Sequence, residues 1–247
     1  MDASLDLFTA VAILVAGCVR GYGGFGFSMI TVAALSLVLP PERIVPMILI
    51  LEVGASLLLL PGAWSSVNWP ALAWMLLGVG IGTPLGVWLL GNVSPASMKT
   101  AVAAIIFALA FVLRKGVVVK RQPGRPQTVL TGTASGILNG AAAIGGPPAV
   151  LFFFSSPAGS AVSRASLIAY FLLTDILAAG TCMAAGLMTV DHARQALVML
   201  VPMAVGLLAG QRMFHRTSET IFRRRVLLCL MGLSVLTMIR ALWELFT

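Results

Sequence analysis

Charge is scarce in this chain: 10% of its 247 residues are Asp, Glu, Lys or Arg, against 59% hydrophobic residues and a mean hydropathy of +1.02. A soluble domain with so little polar surface would not stay in water, so a polytopic membrane protein is implied. Cysteine is equally sparse. Cys18, Cys182 and Cys229 are scattered through apolar segments, which gives no support to a disulfide framework or a metal site and reads as packing. The two histidines, His192 and His215, lie at loop ends, and there is no embedded Ser/His pair, no H-E-x-x-H, no D-x-x-D and no nucleotide-binding loop. Catalysis is not expected, and neither is a cofactor. No segment is polar enough to form a soluble domain. Met1 to Asp6 holds two acids and no base, and with no A-x-A site following it does not read as a signal peptide.

What the chain has instead is apolar runs at about 44–62, 69–91, 97–113, 161–187, 191–211 and 226–246, each near the roughly 20 residues that cross a hydrocarbon core. These set a minimum of six spans. The net charge of +8 falls in short loops between them, where bases set orientation rather than build a nucleic-acid face.

One pattern occurs twice, at an offset of 119 (17 to 136). Gly17-Cys-Val-Arg20-Gly21-Tyr22-Gly23-Gly24-Phe-Gly26 is matched by Gly136-Ile-Leu-Asn139-Gly140-Ala-Ala-Ala-Ile-Gly145. Further on, Gly82-Thr-Pro-Leu-Gly86 matches Gly206-Leu-Leu-Ala-Gly210 at an offset of 124 (82 to 206), and between these anchors Glu52 falls opposite Asp175. The chain therefore divides into two membrane repeats, 1–120 and 121–247, joined at the polar stretch Arg114 to Pro126. That joint carries Arg114, Lys115, Lys120, Arg121 and Arg125, and a second basic cluster carries Arg212, Arg216, Arg223, Arg224 and Arg225; both are expected to be cytoplasmic, and Arg164 counts with them. The loop equivalent to the second cluster, 91–99, lies one span from the joint and so outside, which makes the repeats inverted. Parallel repeats of eight plain spans would strand the second cluster outside.

Inversion needs an odd number of spans per half. The pieces flanking each glycine motif, 5–19 with 27–39 and 127–138 with 147–157, read as short limbs of a broken or re-entrant element, followed in each half by three full spans. The expected fold is an all-α polytopic bundle of two inverted repeats. Helices restarting after Gly26 and after Gly146-Pro147-Pro148 offer unpaired N–H donors and positive dipole ends to an anion. Gly23, Gly24, Gly26, Gly145 and Gly146 serve equally well for close helix packing.

Arg20 is the sharpest single residue, because a guanidinium inside a bilayer needs a partner or a wet cavity. It suits a bidentate anion contact, and it suits equally a pairing with Glu52 or Asp175, or snorkelling to an interface. Asn139 offers neutral donors at the matching position, or serves as interhelical glue. Glu52 and Asp175 lie inside apolar runs, where a carboxylate reads either as a proton relay or as a buried structural partner. Tyr22, Ser28, Thr83 and Tyr170 add hydroxyls, with Gly21, Gly140 and Pro147 completing the two candidate ligand-binding segments. Phe152-Phe153-Phe154 reads as lipid-facing or core.

The paired G-x-x-x-G-x-x-x-x-G motifs, the Gly-Gly-Pro-Pro at 145–148, the duplication and the basic joint resemble the TauE/SafE-type sulfite exporter family, also called the toluene sulfonate uptake permeases, over essentially the whole chain. The resemblance implies a multi-pass secondary carrier of the bacterial inner membrane for sulfur-containing anions such as sulfite, sulfoacetate or other organosulfonates, with protons as the coupling ion. An anion channel is the alternative on the same glycine motifs and Arg20; equivalent acids in two halves suit alternating access better.

Overall fold

A computed structural model describes residues 3–114, 124–154 and 160–214, and further on 231–232, 235–239 and 243. Backbone that crosses a bilayer must satisfy its hydrogen bonds within its own segment, and these apolar runs accordingly form helices. In chain order they are α1 (Ala3–Gly23), α2 (Phe27–Leu35), α3 (Pro41–Leu59), α4 (Trp69–Asn92), α5 (Pro95–Arg114), α6 (Arg125–Ala142), α7 (Gly146–Phe154), α8 (Ser160–Ala184) and α9 (Val190–Phe214). No strand occurs among the described residues. Local chemistry sets several starts: Pro41 opens α3, and the Asn68 side chain accepts the Ala71 N–H at 3.3 Å at the start of α4.

Among the described residues, six helices are long and apolar enough to cross a membrane. Five match runs expected from the sequence; the sixth is α1, with its span at Leu5–Gly23. The expected run at 226–246, the second basic cluster after Arg212, His215, Cys229 and most of the joint lie largely or wholly outside the described residues.

The expectation of two short limbs at each glycine motif is corrected. α1 has 21 residues and α6 has 18, while α2 and α7 have 9 each. At 1.5 Å per residue the long limbs reach about 31 and 27 Å and the short ones about 13 Å. The helices do not stop at Gly17, Gly21, Gly136 or Gly140, because there the glycines face another helix at close range. A methyl group on Gly17 would lie 2.7 Å from the Met203 carbonyl oxygen, and one on Gly136 would lie 2.9 Å from the backbone of Val79. Small residues let membrane helices approach backbone to backbone, which supports the helix rather than breaking it.

These approaches exchange partners between the halves. α1 of the first half packs closely along α9 of the second, through Gly17 and Gly21 on one side and Gly206 and Gly210 on the other. α6 of the second half packs in the same way along α4 of the first, through Gly132, Gly136 and Gly140 against Gly78, Gly82 and Gly86. α3 and α8 meet inside this frame, and α3 is the most enclosed of the spans. The outer faces carry Leu77, Ile81, Leu85 and Trp88 on α4 and Leu197, Val201, Val205 and Leu208 on α9, all exposed. Such apolar stripes at helical spacing suit contact with lipid tails.

Candidate functional site

The first break lies between α1 and α2. Gly24 and Gly26 take φ values of 76° and 96°, and Gly26 stands immediately before α2. Left-handed backbone is costly for a residue with a Cβ, so glycine here permits the sharp reversal that aims the first N–H groups of α2 inward. One of them, Ser28 N–H, donates to Glu52 Oε1 at 3.3 Å. The other carboxylate oxygen, Oε2, lies 2.8 Å from Arg20 Nη1. Arg20 Nη2 donates to Ser56 Oγ at 2.8 Å, and its guanidinium carbon stands 4.7 Å from the centre of the Phe171 ring.

Burial of this group is nearly complete, at 0% exposure for Arg20 and 2% for Glu52. An ion pair so enclosed holds both charges only because each offsets the other's lost hydration. Arg20 Nε nevertheless has no hydrogen-bond partner among the described residues, and the Nη1 contact with Glu52 is an ion pair without hydrogen-bond alignment. The fork therefore has donor capacity to spare.

The second break is built differently. α6 ends at Ala142, Ala143 takes φ 56°, and α7 begins at Gly146. Asn139 Nδ2 donates to Asp175 Oδ1 at 2.8 Å, and Asn139 Oδ1 accepts the Gly145 N–H at 3.3 Å. Ser135 Oγ donates to the Gly145 carbonyl and accepts from Tyr170 Oη at 2.6 Å. Asp175 is 1% exposed, and its Oδ2 has no hydrogen-bond partner among the described residues. The expected donors at the start of α7 are fewer than at α2, because Pro147 and Pro148 have no N–H.

Both breaks face the same interior. Phe171, which stacks on Arg20, and Asp175 sit one turn apart on α8, and Asp175 lies within electrostatic reach of Glu52 and Arg20. A methyl group on Gly146 would come within 3.3 Å of the Phe171 ring. From the same helix Arg164 Nη2 donates to the Gly21 carbonyl at 3.4 Å, and its side chain runs beside Gly24. The arrangement is a cationic fork and a helix start on one side, and a neutral amide with a carboxylate on the other. Chemically it can hold an anion and a proton.

The structure thus brings Arg20, Ser28, Glu52, Asn139, Gly145 and Asp175 to the breaks. Gly23 ends α1, Gly24 and Gly26 shape the turn, and Gly146 and Pro147 open α7. Gly21 and Gly140 sit within helices against α9 and α4, although the Gly21 carbonyl serves Arg164; Tyr22 is buried at the end of α1. Among the open alternatives for Arg20, pairing with Glu52 is the one observed. His192 Nδ1 accepts the Thr189 N–H at 3.1 Å at the start of α9, a capping role away from the breaks. Ser56, Ser135 and Phe171 were not singled out from the sequence, and Arg164 was read there only as a cytoplasmic base. The first three stand four residues from Glu52, Asn139 and Asp175, so helical spacing around each polar residue would have found them.

A sequence model of the family described as sulfite exporter TauE/SafE matches residues 9–238 of the chain. No curated protein and no solved structure matches it.

Proposed function

The chain belongs to the sulfite exporter TauE/SafE family, whose members are membrane transporters and not enzymes, and from that premise we propose that it is a proton-coupled secondary carrier of the bacterial inner membrane for sulfur-containing anions such as sulfite, sulfoacetate or other organosulfonates. The observation that carries the ligand class is Arg20: a wholly buried guanidinium with an unfilled Nε beside the buried start of α2. Planar guanidinium matches the oxygens of a sulfonate or sulfite, and N–H groups at a helix start complete the coordination. Glu52 and Asp175 are the groups that take up and give back the driving proton.

The two halves act as inverted repeats in this proposal, with Arg20 and Glu52 corresponding to Asn139 and Asp175. Its support is the exchange of equivalent helices, α1 onto α9 and α6 onto α4, and the location of the two polar pairs at equivalent breaks. Labelling of single cysteines placed at Ser94 and Ser218 tests it; accessibility of both from one side rules inversion out.

Ligand class is tested by thermal stability of the purified protein with sulfite, sulfate, thiosulfate, sulfoacetate, taurine and carboxylate analogues, since a ligand bound to the folded state alone raises the melting temperature. Transport is tested in proteoliposomes. A carrier saturates and accumulates substrate down a pH gradient, whereas steady anionic current without saturation makes the protein a channel instead.

A further inference from the structure

The seat for an anion at the start of α2 is already taken, by a carboxylate of the chain itself. Glu52 holds Arg20 Nη1 with one oxygen at 2.8 Å and the Ser28 N–H with the other at 3.3 Å. These are the two kinds of group, a cationic fork and an unpaired N–H of a helix start, that a sulfonate would use. Arg20 Nε adds a buried donor with no hydrogen-bond partner among the described residues, so the fork is only partly used by its internal partner.

We propose that Glu52 is a built-in competitor for the substrate site: a monoanion takes Arg20 and the start of α2 from the Glu52 carboxylate, and Glu52 is set free as the neutral acid carrying one proton from the adjoining aqueous phase. This rests on the carrier function and supplies its coupling step. The only covalent change is an O–H bond formed at the Glu52 carboxyl; the substrate is held by hydrogen bonds and charge. Before the exchange Arg20 and Glu52 sum to zero, and afterwards Arg20, the monoanion and neutral Glu52 sum to zero again. Without the proton, an extra negative charge would sit among the buried side chains of Arg20, Glu52 and Asp175, which burial strongly disfavours. A dianion such as sulfate or sulfoacetate brings a second negative charge and needs a second proton for the same balance.

Charged groups on the helices around Glu52 are few. α1 gives Arg20, and α8 gives Asp175 together with Arg164, which is bonded to the Gly21 carbonyl. α2, α4 and α7 carry none, α1 also has Asp6 and α3 Glu42 and Arg43 near their starts, α5 has Lys99 near its start and Arg114 at its end, α6 has Arg125 at its start, and α9 has Asp191, His192, Arg194 and Arg212 towards its two ends. Asp175 is held by the neutral Asn139 amide rather than by a cation for which an anion would compete. The exchange therefore belongs to Glu52.

The test uses the purified full-length protein and methanesulfonate, a monoanion throughout the working pH range, titrated calorimetrically in buffers of different ionisation enthalpy. Uptake of about one proton per methanesulfonate bound is expected, with affinity falling about tenfold per pH unit where Glu52 is ionised. Glu52→Gln is expected to bind with no proton uptake and no pH slope, and to exchange labelled methanesulfonate across proteoliposomes without responding to a pH gradient. Binding to the unmodified protein without proton uptake overturns the inference and leaves the carrier function standing. So does a Glu52→Gln protein that keeps the pH slope, or an Asp175→Asn protein that loses it. Absence of methanesulfonate binding also overturns it, and the carrier function falls as well only if sulfite and sulfoacetate fail to bind. The proton count on the unmodified protein decides without any variant, so misfolding of Glu52→Gln leaves the test intact.

Discussion

The two breaks occupy corresponding places in the two halves and are built from opposite chemistry. At the first, full charges face each other, and three N–H-bearing residues, Phe27, Ser28 and Met29, open the short helix. At the second, an amide, two hydroxyls and one carboxylate form a hydrogen-bonded chain, and two prolines remove donors from the helix start. The same backbone device thus serves as a charged seat in one half and as a polar brace in the other. The backbone breaks in a similar way at both places, while side chains decide the chemistry of each break.

Removing the charge on one side should separate the two most sharply. Arg20→Ala leaves Glu52 buried without its cation and is expected to lower stability by about 3 to 5 kcal/mol while abolishing anion binding. The double variant Arg20→Ala with Glu52→Gln is expected to recover most of that stability and none of the binding, as read by thermal unfolding and calorimetry. Recovery of binding would erase the distinction between the halves. Asn139→Ala at the matching position takes away neutral hydrogen bonds, with an expected loss of about 1 to 3 kcal/mol in stability and a smaller effect on anion affinity.

Prolines offer a finer probe. Pro148→Ala restores an N–H to the first turn of α7, and if the anion is seated on α2 alone, affinity should change by less than about twofold, well under 1 kcal/mol. A tenfold gain in calorimetric affinity would place part of the ligand on α7. The smallest effect is expected at the turns themselves. Ala143 stands where the first half has Gly24, and both take positive φ. Ala143→Gly relieves left-handed strain at a cost in chain entropy and should shift stability by no more than about 1 kcal/mol. Gly24→Ala adds that strain and presses on the Arg164 side chain, where a methyl group would lie 3.3 Å from Cγ, so a larger loss of melting temperature is expected there.

Charges in apolar runs were the legible part of this molecule. Arg20, Glu52 and Asp175 stood out because a bilayer makes such residues costly, and the same cost explains why Arg20 and Glu52 meet. The reach of α1 and α6 was not legible. Glycine inside an apolar run reads the same whether it breaks a helix or seats it against another, and only the partner backbones at Met203 and Val79 decide between the two. Ser56, Phe171 and Ser135 were hidden for a related reason. Neutral or aromatic side chains at membrane depth are common, and nothing in one chain marks the ones that touch a guanidinium. Arg164 was visible as a loop-side base, but its hydrogen bond to Gly21 joins residues 143 positions apart and has no local signature.

Synthesis from the N-terminus gives the α1 and α9 pairing a temporal meaning. Cys18 and Met213, in contact across these helices, are 195 residues apart. At ribosomal speeds of 5 to 20 residues per second, α1 waits roughly 10 to 40 s in the membrane before its partner exists. During that wait its glycine face meets lipid, and Arg20 would be a lone cation in the bilayer. Glu52 emerges far sooner than α9, within the same half. Its carboxylate thus shelters the nascent chain long before any substrate arrives, and a Glu52 variant should be more prone to degradation during insertion than once assembled.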